Sequence, residues 1–388
     1  MIVLNLLGSV ITILCLVLCM ILYFRVKSKN PDGSRRVLSS KTVEAPWSLG
    51  TWIAGVFVAG TGVALMYAPA DLVAYINKGL NPVESITIVS LLNSAPVWAL
   101  YAVMGLWYMK YMDTKAGKIM AMLSTVFGMS ISLYTGVNTI SRFIGVDIPC
   151  LGFVIAGIIV FVAMLSARFN LLKGISTISF SVFVIAALAL ISIPTSSFIP
   201  TKISGCITSN LFTEYMIGDT SASWIFWFLS WSPTVARWLA HISKGRTMKE
   251  YIAGTIILPT LLAVVWMTIS WIYQDVIVNS FILNVNISYI IPCSIFILSG
   301  MLFMIGTLDS DCTVFTDDLS DILRVKRSNK FILYYGFFVI SLSCIYMSGI
   351  VSNPFGFNQM SSLVFVPLII QSIIFVVGHL KLRRDLYD

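Results

Sequence analysis

The chain has 388 residues, of which 58% are hydrophobic and only 11% charged, and its mean hydropathy is +0.91. A soluble domain carries roughly twice that charged fraction, so lipid is the solvent these side chains call for. The net charge of +8 marks topology and not nucleic-acid binding, because the bases lie in short segments between apolar runs and form no basic groove interleaved with aromatics.

Apolar runs of about 20 residues, the length that crosses ~30 Å of hydrocarbon, predict helices near 3–24, 47–68, 87–109, 118–141, 149–167, 175–196, 220–242, 251–274, 283–307, 331–350 and 360–380. The fold class expected is therefore an all-α polytopic membrane protein with about eleven spans. If the N-terminus lies outside and the spans alternate, the inner segments hold 22 of the 25 basic residues, and Lys78, Arg142 and Lys202 stay outside. That is the positive-inside bias of a plasma (inner) membrane protein with a cytoplasmic C-terminus. Met1 to Leu14 carries no basic residue and the basic cluster follows the first run, so this run reads as a retained anchor and not as a signal peptide. No Cys or His spacing suggests a metal. Cys150 and Cys206 both fall on the outer side, where a disulfide or two free thiols would fit.

One leading span (1–46, with its basic loop) followed by two sets of five (47–200 and 201–388) accounts for all eleven. An odd number per set makes the two units opposite in orientation, the inverted-repeat plan whose solutes bind at broken helices near the midplane. The first unit opens with Ala59-Gly60-Thr61-Gly62-Val63-Ala64 and the second with Ser230-Trp231-Ser232-Pro233-Thr234. Each is an expected helix interruption. Backbone freed in this way must line a cavity or be covered by a neighbour; close packing of small residues is the competing reading.

Aromatic residues recur at helical spacing. Trp98 and Tyr101 share a face, and Trp224, Trp227, Phe228 and Trp231 follow i, i+3, i+4, i+7 as one stripe. Such stripes anchor helices at the interface or fill cores, the role expected for Trp224 near the outer end. They can also present negative ring faces to a cation.

Span 7 and its sequel read Trp231-Ser232-Pro233, then Ser243-Lys244-Gly245-Arg246-Thr247-Met248-Lys249-Glu250. Together with the glycine stretch, Pro96-Val97-Trp98-Ala99-Leu100-Tyr101-Ala102, Phe127-Gly128 and Gly306-Thr307-Leu308-Asp309-Ser310, this resembles the betaine/carnitine/choline transporter family over essentially the whole chain. His241 and Ala64 depart from the family pattern. Family members have twelve spans, and by resemblance this chain starts at their second.

The resemblance implies a secondary transporter, symporter or antiporter and not an enzyme, that carries a small quaternary-ammonium solute of the betaine, choline or carnitine type by alternating access. It implies a box of Trp98, Tyr101 and Phe228, with Trp227 and Trp231 along the exit path. Such a solute has no hydrogen to donate from its cationic head, so ring faces are what can hold it. Asn93 stands where the family commonly has a box tryptophan, and Phe228 replaces another. The broken-helix backbone would be Gly60, Thr61, Gly62, Ala64 and Pro233. In sodium-dependent relatives an ion sits between the glycine stretch and hydroxyls of the ninth span, which makes Thr307 and Ser310 candidates for Na+, although Gly306 replaces the first hydroxyl. Arg237 either substitutes for a bound ion or snorkels to the inner surface. Asp309 is expected to organise the inner end of span 9, and the acidic run from Asp309 to Asp321 to pair with the bases that follow on a cytoplasmic helix. The implied partners are the solute, the bilayer and, by family habit, two further copies in a homotrimer; nucleic acid is not one. A non-transporting membrane sensor or binding partner, and a transporter of another amine or amino acid, are the alternative readings.

Overall fold

The computed structural model describes residues 2–29, 47–60, 62–110, 114–144, 151–192, 205–274 and 287–348. Among them there are helices and turns but no β-strand. The helices are α1 (Ile2–Lys29), α2 (Leu49–Gly60), α3 (Gly62–Asn77), α4 (Pro82–Leu92), α5 (Ala95–Lys110), α6 (Lys115–Ile144), α7 (Leu151–Phe169) and α8 (Leu172–Ile191). They continue with α9 (Ser209–Ile217), α10 (Asp219–Ile242), α11 (Met248–Ile252), a π-turn at Ala253–Ile257, α12 (Leu258–Ile272), α13 (Ile287–Leu323) and α14 (Asn329–Met347). Among the described residues, eight helical stretches are long and apolar enough to cross a membrane. The runs expected at 47–68 and 220–242 are helical too, as α2–α3 and α10, while the run at 360–380 lies outside the described residues. The chain is a multi-pass membrane protein.

Helix burial sorts into two classes. On α7, α8, α12 and α14 large apolar side chains such as Phe161, Leu188, Val265 and Phe337 face outward, as lipid contact requires. On α5, α6, α10 and α13 they face inward around Trp98, Met129, Trp231 and Phe303. Buried hydroxyls bond back to the preceding turn and across to neighbours, as expected where no water is available. Ser124 Oγ donates to the Ser230 carbonyl at 2.7 Å, Thr125 and Thr234 hydroxyls meet at 2.9 Å, and Ser343 Oγ donates to the Ser130 carbonyl at 3.0 Å.

The ends of the bundle follow the charge pattern. At one end Lys118 pairs with Asp321 at 2.9 Å, Lys173 lies over the Trp47 ring at 5.8 Å, and Arg246 donates to the Trp47 carbonyl. At the other end Glu84 accepts from Thr208, Asn81 Nδ2 donates to the Cys206 carbonyl at 3.0 Å, and Lys78 faces Glu214 at 3.7 Å. These are the two sets of segments that alternating spans should separate.

Two helix interruptions differ from expectation. α10 runs unbroken through Pro233. Proline removes one N–H and leaves the carbonyl four residues back without its partner, but Ser232 Oγ donates to that carbonyl, Leu229 O, at 2.7 Å. A local hydroxyl replaces the lost donor, so the helix continues. Ser232→Ala is expected to strand that carbonyl and cost about 1 kcal/mol, read as a lower melting temperature in detergent micelles; unchanged melting would mean the carbonyl finds another donor. The span expected at 87–109 is instead divided into α4 and α5 at Asn93-Ser94, just ahead of Pro96. There Asn93 ends α4 with its N–H shared between the Val89 and Ser90 carbonyls at 3.2 Å each. In the first unit, α2 and α3 flank Thr61, which lies outside the described residues.

Candidate solute-binding site

Trp98 lies in the first turn of α5 and Tyr101 one turn later, both essentially inaccessible. Their rings meet edge to face, centroids 5.5 Å apart, and Tyr101 in turn meets Phe228 of α10 at 6.3 Å. Along α10 the contacts continue. Trp224 lies 5.1 Å from Trp227 and 5.3 Å from Phe228, Trp227 lies 5.9 Å from Phe228, and Trp227 and Trp231 are parallel at 6.0 Å. Trp98, Tyr101, Phe228, Trp227 and Trp231 therefore form one connected set of rings joining α5 to the whole inward face of α10.

The glycines explain how the rings come so close. A Cβ on Gly60 would run into the Trp98 indole, and one on Gly62 into the Phe303 ring of α13. Thr307, one turn beyond Phe303, donates its hydroxyl to the Val58 and Phe303 carbonyls at 2.8 Å each. α2, α3, α5, α10 and α13 thus converge on a single aromatic centre. Ala64 is fully buried beside it in the sequence. Trp266 of α12 donates its indole N–H to the Leu65 carbonyl at 2.9 Å, so this stretch of α3 is held by side chains from α12 and α13.

Other expected site residues have different surroundings. Asn93 Nδ2 donates to the Val89 carbonyl at 3.0 Å, which leaves its Oδ1 buried without a partner. Tyr101 Oη is likewise buried and unpartnered. Ser310 Oγ donates to the Thr307 carbonyl at 2.8 Å. The hydroxyls of Thr307 and Ser310 thus donate to backbone carbonyls, and their oxygens keep lone pairs. Arg237 neither snorkels nor stands as a lone cation; its Nε and Nη2 reach Asp318 Oδ1 of α13 at 3.1 and 2.9 Å.

The acidic run departs from expectation as well. Asp317 pairs with Arg327 at 3.4 Å and Asp321 with Lys118 at 2.9 Å, but Asp309, Asp311 and Asp318 are buried. Ser166 of α7 donates to Asp309. Helical periodicity divides the run: one face meets bases, the other enters the bundle. Trp224 also departs, since it is buried and donates its indole N–H to Asp71 of α3. Asp71 escaped the sequence reading although the signal was present, namely a lone acid just past an apolar run.

The betaine/carnitine/choline family model of transporters matches residues 96–270, the segment that runs from the Trp98 turn through the whole α10 stripe. Over that segment the chain is similar to the betaine/carnitine/choline family of transporters. Family members are membrane transporters and not enzymes. Among similar proteins, glycine betaine transporter 1 of Vibrio parahaemolyticus is 28% identical over 319 residues, covering 68% of this chain and 59% of that protein. The glycine betaine transporter of Acinetobacter baylyi is 27% identical over 277 residues, covering 57% of this chain and 42% of that protein. An osmo-dependent choline transporter of the same organism is 43% identical over a segment of 56 residues, 14% of this chain and 8% of that protein. The chain spans about half the length of the curated relatives it matches.

Proposed function

We propose that this protein moves a small quaternary-ammonium solute across the bilayer by alternating access, with Trp98, Tyr101 and Phe228 receiving the cationic head and Trp227 and Trp231 lining its path. The observation that carries the reading is the continuous ring contact from Trp98 through Tyr101 to Phe228, seated on Gly60. Named relatives that carry glycine betaine or choline support the same class of solute. A quaternary head binds a ring when it sits within about 6 Å of the centroid. Tyr101 and Phe228 are themselves only 6.3 Å apart, so the head must part them to enter. This arrangement is a closed state, and opening separates α5 from α10. On this reading the glycine stretch and α10 are the leading helices of two oppositely oriented five-helix units, with the N-terminus outside.

Two unpartnered buried oxygens refine the solute. Asn93 Oδ1 can only accept, and Tyr101 Oη can accept or donate. Together they suit a solute that carries a hydroxyl better than one whose second charge is a carboxylate.

The test is counterflow of labelled choline, glycine betaine and carnitine in proteoliposomes. Exchange of at least one of the three is expected, and no exchange of any would refute the proposal. Asn93→Leu, similar in volume, is expected to weaken choline about two- to tenfold, the worth of one hydrogen bond, and to leave glycine betaine unchanged. Equal losses for both solutes would remove the hydroxyl preference.

A further inference from the structure

We infer that Asp311 is a proton-binding site whose charge is coupled to the aromatic path through Trp231; the inference rests on the transport reading only for its use, and not for the site itself. Asp311 lies on α13 with 1% of its surface exposed and one carboxylate oxygen without a partner. Two polar groups are turned toward it. The indole N–H of Trp231 on α10 is the side-chain donor within reach of the carboxyl and is buried without another partner. The Tyr335 hydroxyl of α14 is buried beside Asp311 and has no partner. Tyr335 is placed there by Phe315, one helical turn past Asp311, whose ring lies 5.4 Å from its own.

No base reaches this pocket among the described residues. Arg237 of α10 is held by Asp318, and Arg327 lies toward the exposed end with Asp317. Lys118 of α6 is bound to Asp321. The remaining titratable neighbours are Cys312 and Asp309 on the same helix; Asp309 accepts from Ser166 of α7 at one oxygen and keeps the other buried without a partner. A carboxylate with no cation must take a proton or leave the apolar interior. A metal ion is disfavoured by the same surroundings, because an indole N–H offers a donor where a metal needs lone pairs.

Gain and loss of the proton change what Asp311 asks of its neighbours. As a carboxylate it accepts from Trp231 Nε1 and Tyr335 Oη. As a carboxylic acid it needs neither and can donate its own O–H. Trp231 is also the end member of the ring stack, parallel to Trp227 at 6.0 Å, and it is pressed against Gly128 of α6. Movement of its indole toward α13 therefore disturbs the stack that reaches Phe228. A proton entering from one side of the membrane and leaving on the other would in this way be tied to opening of the solute path.

The pocket is tested first without any solute, by following tryptophan emission of the purified protein as a function of pH. The wild type is expected to show a transition that Asp311→Asn abolishes and Asp311→Glu retains at a displaced midpoint. No transition in the wild type, or the same transition in Asp311→Asn, overturns the site whatever the solute. In proteoliposomes that exchange choline or glycine betaine, an inward proton gradient is expected to drive accumulation and acidify the lumen, and Asp311→Asn is expected to lose both. Gradient-driven accumulation that survives in Asp311→Asn, or that follows a sodium gradient alone, overturns the coupling. Absence of any exchange in the wild type counts against the transport reading and leaves the emission test to decide the site.

Discussion

Replacing Arg237 by Met is expected to destabilise the folded protein by roughly 3–5 kcal/mol, because it leaves the Asp318 carboxylate buried without its counterion. The Asp318 side chain has no accessible surface, whereas that of Arg237 keeps 21%, so the two ends of the pair are not equivalent. Asp318→Asn should cost less, since Arg237 can turn its guanidinium toward the more polar end of the bundle. The double variant Arg237→Met/Asp318→Leu should recover most of the loss, because a well-packed apolar pair often equals or exceeds a buried ion pair. Unfolding in mixed micelles, measured for the four proteins as a cycle, reads the coupling directly. If Arg237→Met melts like the wild type, Asp318 is neutral or hydrated and the pair is not structural.

The second large effect is expected at the ring centre. Trp98→Leu removes the ring that links Gly60 to Tyr101 and should weaken binding of a quaternary-ammonium solute by as much as about thirtyfold, the worth of ~2 kcal/mol for one desolvated cation–π contact. Trp224→Leu, which removes a ring from the same stripe at its Asp71 end, should weaken equilibrium binding less. The comparison separates a binding role from simple packing. Equal losses at both positions, matched by equal losses in melting temperature, would mean that the rings fill space and do not hold the solute. Tyr101→Phe is the finer control: it keeps the ring face and deletes only the unpartnered hydroxyl, so it should spare the contribution of the ring itself.

Much of this architecture was legible because membranes impose few rules and impose them strongly. Apolar run length located the helices, and the placement of Lys and Arg separated the two ends that Lys118–Asp321 and Glu84–Thr208 now mark. The i, i+3, i+4, i+7 spacing of Trp224, Trp227, Phe228 and Trp231 already placed them on one face. The misreadings have a common cause, since each depended on a single neighbour that local sequence rules do not weigh. Pro233 reads as a break unless the hydroxyl of Ser232 is known to reach Leu229 O. Arg237 reads as a surface-seeking base unless Asp318, 81 residues away, is known to meet it. Trp224 reads as an interface anchor unless Asp71, 153 residues earlier, is known to accept its N–H. The acidic run looked uniform because composition does not record which face of a helix a residue occupies. For Trp98, Tyr101 and Phe228, ring spacing made the faces plausible; the idea that they form a box came from family resemblance.

The seat of Trp98 on Gly60 has a mechanical corollary. With no side chain between them, the outer edge of the indole meets Gly60 and acts as a spacer that fixes how near the end of α2 can lie to α5. Any tilt of α2 must push the ring or release it, so ring and helix share one degree of freedom. Occupancy of the aromatic centre and the stance of α2 would then be two readings of a single lever, and a label on α2 would report on the solute without ever touching it.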